Sequence, residues 1–198
     1  MKFRLLAAAC TSLALLAAGC GGDDSSSTDT TLPLPAATAG ETEVFNEADV
    51  TFSQGMIAHH EQAIAMAEIA LDPTLGARAE VTDLAGRIRD AQGAEIAQMT
   101  SWLDAWGQPM TMDTSGGHEM DSMDGMMSAD DMDRLGTLTG PDFDTAWLEM
   151  MIEHHEGAIT QSETAKAEGT NPDVEVLADQ IIAAQTAEIE AMQALLAG

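Results

Sequence analysis

Residues 55–64 read GMIAHHEQAI, and residues 150–159 read MMIEHHEGAI. Four of the chain's five histidines lie in these two stretches, as adjacent pairs that follow a methionine by three residues. The correspondence extends beyond them. Met56/Met151, Ile57/Ile152, His59/His154, His60/His155, Glu61/Glu156, Ala63/Ala158 and Ile64/Ile159 match at an offset of 95. Ile88/Ile181, Gln92/Gln185, Glu95/Glu188, Ile96/Ile189 and Met99/Met192 match at an offset of 93. The two-residue difference falls between the matching blocks, where a turn absorbs it. A chain that repeats itself in this way is built from two copies of one unit.

The unit reads as a helical hairpin. Phe52, Met56, His59, Ala63, Met66 and Ala70 recur by fours and threes, beside Ile57, His60, Ile64, Ala67 and Leu71, and make one broad inward face. Trp147, Met151, His154 and Ala158, beside Leu148, Ile152, His155 and Ile159, repeat it. Asn46, with Asp49 three residues on, is a helix start. Asp72–Gly76, Gly107–Pro109 and Gly169–Pro172 are breaks. The chain lacks Tyr and is only 4% aromatic, and its apolar residues are mostly helix formers. The expected fold is all-α: a pseudo-symmetric four-helix bundle with hairpins over 44–106 and 141–198 and a connection over 107–140.

The inward histidines have inward carboxylates to meet. The second helix of the first hairpin carries Val81, Leu84, Ile88, Ala91, Glu95, Met99 and Trp102 on its stripe. Its counterpart carries Val174, Leu177, Ile181, Ala184, Glu188, Met192 and Leu195. Glu95 and Glu188 stand where apolar residues are expected. A buried carboxylate without a partner costs several kcal/mol or takes up a proton, so each needs one. A plain polar network of His and Glu would satisfy them. A metal held by Met56, His59, His60, Met151, His154, His155, Glu95 and Glu188 would do so too. In ferritin-like di-iron bundles two helices carry Glu-x-x-His. Here those positions read Met56-x-x-His59 and Met151-x-x-His154, with thioether in place of carboxylate. Thioether and imidazole suit Cu(I), whereas iron prefers oxygen, which makes iron the weaker candidate.

The connection is a second candidate region. Met110, Met112, Met120, Met123, Met126, Met127 and Met132 crowd into it with His118, among many Asp. It shows no helical apolar stripe over most of its length, apart from one short helix after Ser128, so core packing does not account for its methionines. Such a segment would collect copper, with Met110, Met112, His118, Met120, Met123, Met126 and Met127 as donors. An acidic linker or a docking surface would read similarly.

The N-terminus reads as an export signal over residues 1–19: Lys2 and Arg4, then an apolar run ending LLAAGC at Cys20. This resembles a bacterial lipoprotein signal, which implies lipid on Cys20, a flexible tether over 20–43, and a membrane contact through that lipid only. With Cys10 removed and Cys20 lipidated, no free thiol remains. The net charge of -27, from 34 acidic and 7 basic residues, argues against a nucleic-acid partner and favours cations. No nucleophile triad, phosphate loop or nucleotide fingerprint is visible.

The paired MI-x-HHE-x-AI motifs, each followed by a helix bearing Glu and Met, resemble the bacterial "domain of unknown function" family of ferritin-like four-helix proteins that includes CopM-like copper-binding proteins. The resemblance spans about residues 45–197. It implies a ferritin-like bundle, exported and often lipid-anchored, with copper binding at Met56, His59, His60, Met151, His154 and His155. Three functions stand: copper sequestration or delivery without catalysis, a di-metal oxidase, or a structural bundle of the cell envelope. The number of copies that assemble is not encoded legibly.

Overall fold

The computed structural model describes residues 44–112 and 123–198. The expected signal and tether, with Cys20, and His118 and Met120 of the connection lie outside the described residues. Those described are all-helical: α1 (Glu47–Ala70), α2 (Ala79–Ala105), α3 (Ala129–Leu135), α4 (Gly140–Glu168) and α5 (Pro172–Ala197), with a 3-10 turn at Pro73–Leu75. Local chemistry sets the ends. Asn46 and Asp49 form a reciprocal cap, Asn46 Oδ1 accepting from Asp49 N–H and Asp49 Oδ2 accepting from Asn46 N–H. Asn171 caps α5, with Pro172 at the first helical position, where its missing N–H is harmless.

α1 packs along α2, α4 along α5, and α1 crosses to α4. The α1–α4 pair is antiparallel. Asn46 Nδ2 donates to the Glu168 carbonyl at 2.8 Å at one end, and Trp147 Nε1 to the Met66 carbonyl at 2.9 Å at the other. The centres of the two helices fall at His59 and His154.

Two apolar clusters flank that level. One joins the end of α1 (Met66, Ala67, Ala70), the start of α2 (Leu84, Ile88), the start of α4 (Trp147, Met151) and Met192. The other joins the start of α1 (Phe52, Met56, Ile57), the end of α2 (Met99, Leu103), Ala158 of α4 and the start of α5 (Leu177, Ile181). Each cluster therefore uses both hairpins, and each fully buried Leu, Ile or Met contributes about 1.5–3 kcal/mol.

Two carboxylates lock the hairpins end to end. Asp49 is fully buried and accepts from Thr170 N–H at 3.1 Å and Asn171 N–H at 3.2 Å, in the α4–α5 turn. Asp144 accepts from Arg78 N–H at 3.1 Å, just before α2. Asp49/Asp144 and Arg78/Asn171 obey the 95 and 93 offsets of the repeat. Each hairpin's first helix thus holds the other hairpin's turn.

Two sequence expectations need correction. Ala91 and Ala184 are exposed, and the buried stripe instead runs through Gln92 and Gln185. The reason is phase: four residues beyond Ile88 or Ile181 the helix returns to its inward face at the glutamine. The methionines of the connection are not all free of the core either. Met127 is 6% exposed and sits in the first cluster, with Met132 packed against it.

Candidate metal centre

His59, His60, His154 and His155 are all fully buried and form a polar layer between the apolar clusters. The i, i+1 spacing gives each pair two roles. The outer histidine turns to its own hairpin: His60 Nε2 meets Glu95 Oε2 at 2.7 Å, and His155 Nε2 meets Glu188 Oε2 at 2.8 Å. A carboxylate accepts, so each ring donates through Nε2 and leaves Nδ1 without a partner. The inner histidines meet each other, His59 and His154 lying with ring centroids 3.8 Å apart.

The inner pair is held uncharged. His59 is pushed down to about 3, by burial first and then by the charge of His60, against a small opposing contribution from the Asp124 carbonyl. Burial, and then His59, His155 and His60, hold His154 well below the ordinary histidine range. Neutral imidazole is the ligating form.

The layer is rich in unpaired donors and acceptors. Nδ1 of His59, His60 and His155 has no partner, and neither does either ring nitrogen of His154. Both amide atoms of Gln92 and of Gln185 are also buried and unpaired. Each such group costs about 1–3 kcal/mol. Sequence reading missed both glutamines as site residues. The available signal was their match across the repeat and their place three residues before Glu95 and Glu188.

Among the described residues no three His, Cys, Asp or Glu side chains stand close enough together to hold an ion. An ion here would need few ligands or thioether help. Met56 and Met151 are fully buried next to the layer, Met56 in the cluster of Met99 and Met151 in that of Met192. Glu95 and Glu188, candidate ligands by sequence, are engaged with His60 and His155. They orient those rings as carboxylates behind metal-bound histidines do.

Part of the connection straps across the layer on one side. His59 Nε2–H donates to the Asp124 carbonyl at 3.2 Å. Gln62 grips Met127 twice, Nε2 to its carbonyl at 2.9 Å and Oε1 from its N–H at 2.7 Å. Gly125 turns the strap at φ +80°, and Gly157 lets it lie on α4: a Cβ on Gly157 would sit 2.7 Å from Gly125 Cα. Of the other candidate donors, Met110 is exposed, and Met112, Met123 and Met126 are half-buried.

A family model described as "Domain of unknown function (DUF305)" matches residues 49–196. A DUF305 protein from Streptomyces coelicolor is 32% identical, with a TM-score of 0.68 over 76% of this chain and 92% of its own. A DUF305 fragment from Deinococcus radiodurans is 33% identical, with a TM-score of 0.68 over 77% and 97%. CopM in its Cu(I)-bound form is 30% identical, with a TM-score of 0.61 over 74% and 94%. CopM structures with Cu(II) and with Ag are similar to this chain as well. None of the curated proteins matches it significantly.

Proposed function

This chain belongs to the DUF305 family, and we propose that it is an exported protein that binds copper as Cu(I) in its histidine layer, for sequestration or delivery. The observation that carries the reading is the inner pair: two neutral, fully buried imidazoles in contact, with unpartnered ring nitrogens, beside buried methionines. Desolvated imidazole with thioether favours a soft monovalent ion over Fe(II). Copper and silver in the related CopM support the same choice. In this reading the four long helices make a ferritin-like bundle, His59 and His154 hold the ion with help from Met56 or Met151, and His60 and His155, oriented by Glu95 and Glu188, would join them only by a shift of their rings. The engagement of both carboxylates by histidine weighs against a carboxylate-bridged di-iron oxidase. Export and a lipid on Cys20 rest on the N-terminal pattern.

The test is thermal unfolding during anaerobic titration with Cu(I), Ag(I), Zn(II) and Fe(II). An ion at about 100 times its dissociation constant stabilises by roughly 2.7 kcal/mol. Cu(I) and Ag(I) raise the midpoint and Fe(II) does not, and His59→Ala with His154→Ala removes the shift. A midpoint indifferent to every ion would leave the layer as a purely structural polar core.

A further inference from the structure

Several departures from the repeat lie beside the connection. Gly55 stands where the second copy has Met150, Gln161 where the first has Met66, and Gln54 where the second has Glu149. Gln54 Nε2 donates to the Pro109 carbonyl at 2.7 Å and pins the chain leaving α2 onto α1. Gln62 pins the returning strap two turns further along. Gly55 lies between these two anchors. The missing side chain leaves a space that three donor atoms surround. Gln161 Oε1 lies 3.4 Å, Met123 Sδ 3.8 Å and Met112 Sδ 4.0 Å from the point where a Cβ on Gly55 would stand.

We propose that Met112, Met123 and Gln161 form a second soft-metal site, separate from the histidine layer and outward of it. The three donors come from three different segments, so only the docked connection brings them together. Two thioethers select a soft monovalent cation, and the amide oxygen adds a hard but neutral donor. Gln161 Nε2 is buried without a partner, so no hydrogen bond from it competes with an ion for the amide. Solvent reaches the site from both sides. A cleft of about 430 Å³ is lined by Asp124 and Gln161, and one of about 370 Å³ by Met110 and Met112. The acidic residues Glu47, Asp124 and Glu168 line the larger cleft and attract cations to it. The neighbour of Met123 in sequence is Asp124, whose carbonyl holds His59. An ion bound here is therefore at the threshold of the inner pair. The second copy cannot build an equivalent, because Met150 fills the place of Gly55 and is buried itself.

The site stands independently of copper binding by the histidines, and one experiment separates the two. The full chain is labelled at its methionine methyls and titrated anaerobically with Ag(I), a redox-inert probe, while methionine methyl and histidine ring resonances are followed by NMR. Single Met→Leu variants assign the methyl signals. Met112 and Met123 are expected to shift together, on one binding curve. Met112→Leu is expected to weaken the response of Met123 by about tenfold, the equivalent of ~1.4 kcal/mol for one thioether. Gly55→Met, which installs the residue of the second copy, is expected to abolish the joint response. These outcomes hold whether or not the histidine signals move. The proposal is overturned if Met112 and Met123 stay still while other signals shift, or if Met123 responds with unchanged affinity in Met112→Leu. Should Gly55→Met fail to fold, Met112→Leu and Met123→Leu still separate a shared site from independent methionines.

Discussion

Gly157→Ala should release the strap without unfolding the domain, and the structure gives the balance. Docking gains three hydrogen bonds: the two between Gln62 and Met127, and that from His59 to Asp124. At about 1 kcal/mol each, with about 2 kcal/mol for burying Met127, the gain is roughly 5 kcal/mol. Ordering the backbone of Asp124–Met127 costs about 4 kcal/mol, at ~1 kcal/mol per residue. The strap is thus held by a margin of about 1 kcal/mol. A Cβ at 157 would lie 2.5 Å from Asp124 C and 2.7 Å from Gly125 Cα, so the strap cannot seat. The same methyl improves the helical propensity of α4 by about 1 kcal/mol. Global stability should therefore change by no more than about 1 kcal/mol, a few degrees in midpoint, while the strap opens. The assay is hydrogen exchange at the Met127 amide, which donates to Gln62 in the docked state. Exchange should approach the rate of an open chain. Gln62→Ala, which removes two bonds with no clash, should move it the same way. A Met127 amide as protected as in the parent would refute the reasoning. So would a midpoint lowered by more than roughly 10 °C, since the damage would then have reached helix packing.

Two further expectations follow from buried charge and its avoidance. His59 and His154 are neutral when folded but titrate near 6.5 when unfolded, so the unfolded state takes up protons first as pH falls. The stability they contribute is complete above pH 6.5 and drains below it, at about 1.4 kcal/mol per pH unit for each, until folded His59 itself protonates near 3. Denaturant unfolding of the apo protein between pH 7 and 4 checks this: His154→Leu should flatten the slope, and a slope parallel to the parent's would sink the idea. The two carboxylate latches should differ in strength. Asp49→Asn should cost about 3 kcal/mol or more, because a fully buried carboxylate there serves Thr170 and Asn171 at once. Asp144→Asn should cost less, since Asp144 holds one N–H and stands 3.9 Å from the half-exposed Arg78 guanidinium. Equal losses in chemical denaturation would contradict that ranking.

Periodicity made the helices and the inward histidines legible, because burial on a helix face follows a repeat that any long segment displays. The same method misplaced one residue per hairpin. Ala91 and Ala184 look like core and are exposed, while Gln92 and Gln185 look like surface and are buried. An apolar count prefers alanine to glutamine, and only the strict helical phase from Ile88 and Ile181 corrects it. The engagement of Glu95 with His60 was half visible, as a carboxylate in need of a partner. That it would bond Nε2 and leave Nδ1 unpaired depends on ring orientation, which spacing does not specify. The latches were invisible for another reason. Asp49 and Asp144 join residues far apart in sequence, and an acidic residue near a helix start already has a sufficient local explanation in capping.

The departures from the repeat carry as much as the repeat does. Two identical hairpins would give a histidine layer with two equal approaches. Gln54, Gly55 and Gln62 on α1, against Glu149, Met150 and Gly157 on α4, remove that equality. The α1 residues anchor the connection at Pro109 and Met127, and Gly157 gives it a bed on α4. The result is that His59 is held by the strap through Nε2, while His154, its twin in sequence with its ring centroid 3.8 Å away, is not. A symmetric core thereby acquires one histidine tied to the strap and one that is not. An ion would meet His154 with no strap contact to displace and His59 through Nδ1, the Nε2–H staying on Asp124 and orienting the ring.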